Sequence, residues 1–173
     1  LENGVDIPQG RANVRKRLPL ILEDGENGLS FRFRRLLADL RDDLVTLDER
    51  IERFDLEIRN MAEEDEDASR LLSIPGIGPQ TATALIASVG DVKSFRNGRE
   101  LSAFLGLVPR QHSTGGKPKL LGISKRGDVY LRTLLIHGAR AVLQRAEKKQ
   151  DPTSQWACRL MQRRGKNVAA VAL

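Results

Sequence analysis

The chain has 173 residues, 40% of them apolar and 4% aromatic, with a net charge of +6, which supports one domain with an extension or two small domains and excludes a disordered chain. With so few aromatics the cores must be built from Leu, Ile, Val and Ala, which favours helices over a β-sandwich. One cysteine, Cys158, excludes an internal disulfide and a cysteine-built zinc site, and with no membrane-length apolar run and no signal peptide a cytoplasmic setting is expected.

Taken in order, the chain begins Leu-Glu-Asn without a methionine and ends in the apolar run Val168–Leu173, so a fragment of a longer protein is expected. Arg11–Leu22 carries Val14, Leu18, Ile21 and Leu22 at helical spacing, and Glu23–Gly28 is a turn. From about Ser30 the apolar residues Phe33, Leu37, Leu40, Leu44, Leu47, Ile51, Phe54, Ile58 and Met61 alternate steps of 4 and 3. That is a heptad seam, flanked by charges such as Asp39, Arg41, Asp48, Arg50, Glu52 and Glu57. It predicts one helix of about 35 residues, roughly 50 Å long, whose seam must be covered. A homo-oligomer through this coiled coil is expected; an intramolecular helical hairpin is the alternative.

Glu63–Asp67 is a run of five acids, expected as a solvated hinge between residues 1–67 and residues 68–173. Helix, turn and helix follow over residues 69–90, broken at Pro75-Gly76 and restarted at Pro79. Further helices are predicted over Gly98–Leu105, Asp128–Arg145 and Thr153–Arg164, with a last one starting near Asn167, and Arg110–Gly122 leaves room for a short β-hairpin. The fold class is therefore all-α: a long coiled-coil helix, then a small helical domain with at most one hairpin of strand.

The charge is placed unevenly. Residues 1–92 hold 12 Lys+Arg against 19 Asp+Glu, whereas residues 93–173 hold 17 against 4. So basic a half is the footprint of a nucleic-acid binder rather than of a solubilising surface. Two segments carry candidate chemistry. In Ile74-Pro-Gly-Ile-Gly78, glycines permit an unusual turn and close approach, and the amides of Gly76, Ile77 and Gly78 at the head of the next helix can converge on a phosphate. The pattern resembles a helix-hairpin-helix, which holds a duplex phosphate without reading sequence; an ordinary helical hairpin is the bland alternative. In His112-Ser-Thr-Gly-Gly-Lys-Pro-Lys119, followed by Gly122-Ile-Ser-Lys-Arg-Gly127, a hydroxyl lies among lysines that can offset phosphoryl charge. Such a loop is either a phosphate ligand or a nucleophile, and it lacks the spacing of a Walker loop. His112 and His137 form no metal pair by spacing, and no metal site is predicted.

The run Ile74–Gly78 with Phe104-Leu-Gly-Leu-Val-Pro-Arg-Gln-His-Ser-Thr-Gly-Gly-Lys and its continuation to Ala141 is similar to the C-terminal domain of "IS one-ten" insertion-sequence transposases, transposase family 20. The likeness is strong over Leu71–Leu143 and looser at the coiled coil and at Gly165–Leu173. The resemblance implies a DNA recombinase. Its N-terminal RuvC-like nuclease domain, lying outside this sequence, holds Mg2+ on four carboxylates, and its C-terminal domain supplies a serine that links covalently to DNA. Eleven residues before Ser124 that serine is Ser113; the count from Pro109 is one residue out and leaves Thr114 as the alternative. The resemblance also implies double-stranded DNA as partner, a guide RNA in some members, and a bacterial, nucleoid-associated setting. Lys117, Lys119, Ser124, Lys125, Arg126 and Arg132 are the expected backbone contacts, and the fragment alone is expected to bind without cutting. A non-catalytic helix-hairpin-helix module and a dimerisation scaffold are the rival readings.

Overall fold

The computed structural model describes residues 5–112 and 119–173. Among the described residues the chain is mostly helical: eight α-helices and one two-stranded antiparallel sheet, in two compact units, Leu1–Leu56 and Glu57–Leu173. The all-α class is therefore what forms, with the short hairpin included. No helix is long and apolar enough to cross a membrane among the described residues.

In the first unit, α1 (Arg11–Glu23) and α2 (Phe31–Glu64, which continues into the second unit) are joined by a corner that one arginine organises. Arg34 Nη1 donates to the carbonyls of Ile21 (3.0 Å) and Leu22 (2.8 Å), and Nη2 to Asn27 Oδ1 (2.8 Å). A cation thus satisfies carbonyls that the end of α1 leaves unpaired, where the helix dipole also favours it. Arg15 and Arg11 pair with Asp48 farther along α2, so the two helices lie side by side. Leu18 and Leu29 are buried there. The heptad seam is not: Phe33, Leu40, Leu44, Leu47, Ile51, Phe54 and Met61 remain between 40% and 60% exposed.

In the second unit the acidic run is helical on both sides of Asp65, whose carboxylate accepts from Ala68 N at 2.8 Å and starts α3 (Glu66–Leu72). Glu66 and Asp67 occupy its first turn, where the helix dipole favours negative charge. Ala62 and Ala68 are fully buried on either side and pack on Ala82. The division between units therefore falls inside α2, ahead of the acidic run.

Next come α4 (Pro79–Val89), a 3-10 turn at Val92–Ser94, α5 (Gly98–Phe104), strands β1 (Pro109–Gln111) and β2 (Leu120–Ile123), α6 (Val129–Ala146), α7 (Pro152–Arg164) and α8 (Lys166–Ala172). Three small cores hold them. Ala62, Ala68 and Ala82 form one; Leu85, Leu105 and Leu131 join α4, α5 and α6; Leu143, Ala157, Leu160, Ala169 and Ala170 join α6, α7 and α8. Alanine at these crossings lets the helix backbones approach closely.

Candidate nucleic-acid interface and serine-bearing loop

β1 and β2 pair with Pro109 opposite Ile123 and Gln111 opposite Leu120, with an irregularity between. His112 N donates to Lys119 O at 2.9 Å, so the ladder reaches the two residues that flank the serine-bearing segment. Ser113, Thr114 and Lys117 lie outside the described residues. Lys119 is exposed.

The base of this hairpin is built tightly. Ser124 N donates to Val108 O (2.8 Å) and Lys125 N to Gly106 O (3.0 Å). Lys125 takes a left-handed backbone, φ 57°, which a residue with a Cβ adopts only when its surroundings enforce it. Arg126 N reaches Ser124 Oγ at 3.4 Å. A Cβ on Gly127 would sit 2.1 Å from Phe104 O, so only glycine lets this corner lie against the end of α5. Asp128 then caps α6 by accepting from Leu131 N at 2.9 Å. The result presents the exposed side chains of Lys125 and Arg126 from a fixed backbone.

Arg132 is placed otherwise than its charge suggests. It is buried, and Nη1 donates to the carbonyls of Leu105 (3.0 Å), Gly127 (3.3 Å) and Asp128 (3.5 Å). Its guanidinium ties the end of α5 to the basic corner from inside.

The Ile74–Gly78 turn joins α3 to α4. Gly76 has φ +94°, and its backbone meets that of Gly138 on α6: a Cβ on Gly138 would fall 1.9 Å from Gly76 O. Ile77 N is spent on Ile74 O (3.0 Å). Gly78, the N-cap of α4, differs, because nothing lies within 4 Å of where its Cβ would be. Gln80, in the first turn of α4, donates through Nε2 to Tyr130 Oη (3.1 Å) in the first turn of α6. That bond brings the head of α4, with Gly78, beside the head of α6 and the Ser124–Asp128 corner that precedes it.

Charge pairing follows the same division as charge placement. Among the described residues no ion pair involves a residue beyond Arg70. Lys119, Lys125 and Arg126 are therefore without a carboxylate partner among the described residues. Spacing and composition missed the two glycine crossings, the inward turn of Arg132 and the Gln80–Tyr130 bond. The signal available for one of them was Gly138 itself, a glycine inside an otherwise regular helical pattern.

Residues 68–154 match the model of the transposase IS116/IS110/IS902 family. The chain is 49% identical over 172 residues to the transposase for insertion sequence element IS1111A of Coxiella burnetii, covering 99% of this chain and 47% of that protein. It is 49% identical over 165 residues to a probable family 20 transposase of Pseudomonas aeruginosa, covering 95% of this chain and 49% of that one. It is 44% identical over 173 residues to the transposase for insertion sequence element IS1328 of Yersinia enterocolitica, covering all of this chain and 51% of the relative. The chain thus spans about half the length of the relatives it matches. With a helical unit that carries the family match and the basic corner within it, the chain belongs to the IS116/IS110/IS902 family of transposases.

Proposed function

We propose that this chain is the DNA-handling half of an insertion-sequence transposase and that Ser113 is its nucleophile. The observation that carries the reading is the hydrogen-bonded base of the hairpin. It ties the residues flanking the serine segment to the unpaired cations Lys125 and Arg126 and, through Gln80 and Tyr130, to the open head of α4. A phosphodiester there would meet lysine and arginine charge and the amides at Gly78. In the reaction the Ser113 oxygen bonds to phosphorus, one bridging phosphorus–oxygen bond breaks, and the freed sugar oxygen takes up a proton. Lys117, Lys119, Lys125 and Arg126 offset the charge that builds on the non-bridging oxygens.

Magnesium, which the resemblance assigns to a nuclease domain, finds no cluster of three or more His, Cys, Asp or Glu ligands among the described residues, and no step is routed through it. The half-exposed seam of α2 supports pairing with a second copy.

The test is a denaturing gel of the full-length protein with its DNA, Mg2+ and any guide RNA. Protein covalently attached to DNA, lost in Ser113→Ala with folding and binding intact, is the expected result. An adduct lost only in Thr114→Ala moves the nucleophile by one residue. Cut strands with no adduct would leave this half a non-catalytic binding module.

A further inference from the structure

The outer face of α7 carries a second cationic surface, separate from the hairpin. Trp156, Arg159 and Arg163 stand at positions i, i+3 and i+7, on one narrow arc of the helix. With Leu160 and Gln162 they line a shallow groove. The neighbouring arc holds α7 in place: Ala157 and Leu160, which also floors the groove, pack with Leu143, Ala169 and Ala170. Trp156 is no part of that core and is 41% exposed. Neither arginine is in an ion pair among the described residues, and residues 152–173 contain four Lys+Arg and no Asp or Glu. A flat aromatic face followed along the helix by two unneutralised guanidiniums, about 6 Å apart along the axis, is the chemistry of base stacking combined with phosphate binding.

We infer that this face of α7 binds unpaired nucleotides, with the Trp156 indole stacked on a base and Arg159 and Arg163 on the adjoining phosphates. A duplex fits less well, because its base faces are hidden and only the arginines would engage. An acidic protein would use the arginines and leave the indole without a stacking partner. The ligand is a single-stranded segment, whose source is melted DNA or a loop of RNA; both offer the same bases and phosphates. The proposal does not depend on strand cleavage.

Trp156 is the only tryptophan of the chain, so its emission reports on this site alone. The experiment follows that emission while the chain is titrated with a thymidine oligonucleotide, a uridine oligonucleotide or a blunt duplex, with binding followed in parallel by anisotropy of the labelled strand. Expected are saturable quenching by unpaired strands, a midpoint that rises with salt, and little quenching by duplex at equal phosphate concentration. Stronger quenching by the thymidine or by the uridine strand identifies DNA or RNA as the source. Arg159→Gln with Arg163→Gln, both on exposed positions that leave the core and the reporter intact, should weaken the unpaired strand about tenfold or more. Binding by anisotropy with Trp156 emission unchanged would overturn the proposal, as would equal quenching by duplex. A shift of emission with protein concentration alone would assign the face to a second copy instead.

Discussion

At the residue scale, two glycines of similar appearance do different work. Gly138 admits the backbone of Gly76 so closely that a methyl group would collide with its carbonyl oxygen. Gly138→Ala is expected to cost about 1–3 kcal/mol or more, because two backbones rather than a flexible side chain must give way. Gly78→Ala meets open space and should lower the unfolding free energy by no more than about 1 kcal/mol, the loss of a good N-cap residue. Urea unfolding of the two variants checks the contrast; equal losses would refute the crossing. Arg132→Met should cost about 1–3 kcal/mol by stranding the carbonyls of Leu105, Gly127 and Asp128, with nucleic-acid affinity of the folded fraction preserved. A large affinity loss without a stability loss would return Arg132 to the interface. Its position inside a basic stretch made it look like a contact in the sequence; burial is a tertiary fact, and no periodicity distinguishes an inward arginine from an outward one.

At the scale of elements, most of the fold was legible because helical spacing runs through each segment and several helices carry a capping residue at their start. Asn97, Asp128 and Asp151 accept from amides of the first turn, as their residue types predict, and the last helix follows Gly165, which has φ 84°. The heptad steps gave α2 almost end to end. The acidic run reads as a solvated hinge, whereas Asp65 uses its carboxylate to restart a helix whose first turn favours the acids beside it. Leu44→Glu with Ile51→Glu, at seam positions 40% and 47% exposed, should leave helix content unchanged and shift sedimentation from a larger species to the monomer; an unchanged monomer in both proteins would contradict pairing through the seam. For α7, the Ser154 hydroxyl and backbone N–H hold the Asp151 carboxyl below its ordinary 3.8. Its charged form therefore stabilises the fold fully above about pH 3.9, and the contribution fades as pH falls through the lower folded value. The stability gap between the parent and Asp151→Asn should close on acidification over that range, and a gap independent of pH would show that the cap does not act through its charge.

At the scale of the whole molecule, charge segregation is the organising property. Among the described residues, ion pairs join Arg11, Arg15, Arg41 and Arg70 to Asp48, Asp42, Glu66 and Asp67, all in the acidic first part, and none lies in the basic second part. This was visible as a count of residues, but the juxtaposition of the hairpin base with the heads of α4 and α6 was not, since it rests on long-range contacts: the Leu85–Leu105–Leu131 core, the Gly76–Gly138 approach and the Gln80–Tyr130 bond. The close approach of Gly127 to Phe104 and the buried Arg132 tie the hairpin base to the end of α5. The central claim, that Ser113 attacks DNA, is tested most directly by locating the linkage itself. The full-length protein, reacted with its DNA, would be digested with nuclease and trypsin and the peptides weighed. A nucleotide mass on the Gln111–Lys119 peptide, localised to Ser113, is the predicted result. Attachment to any other peptide, or cut DNA with no nucleotide on the protein, would contradict it.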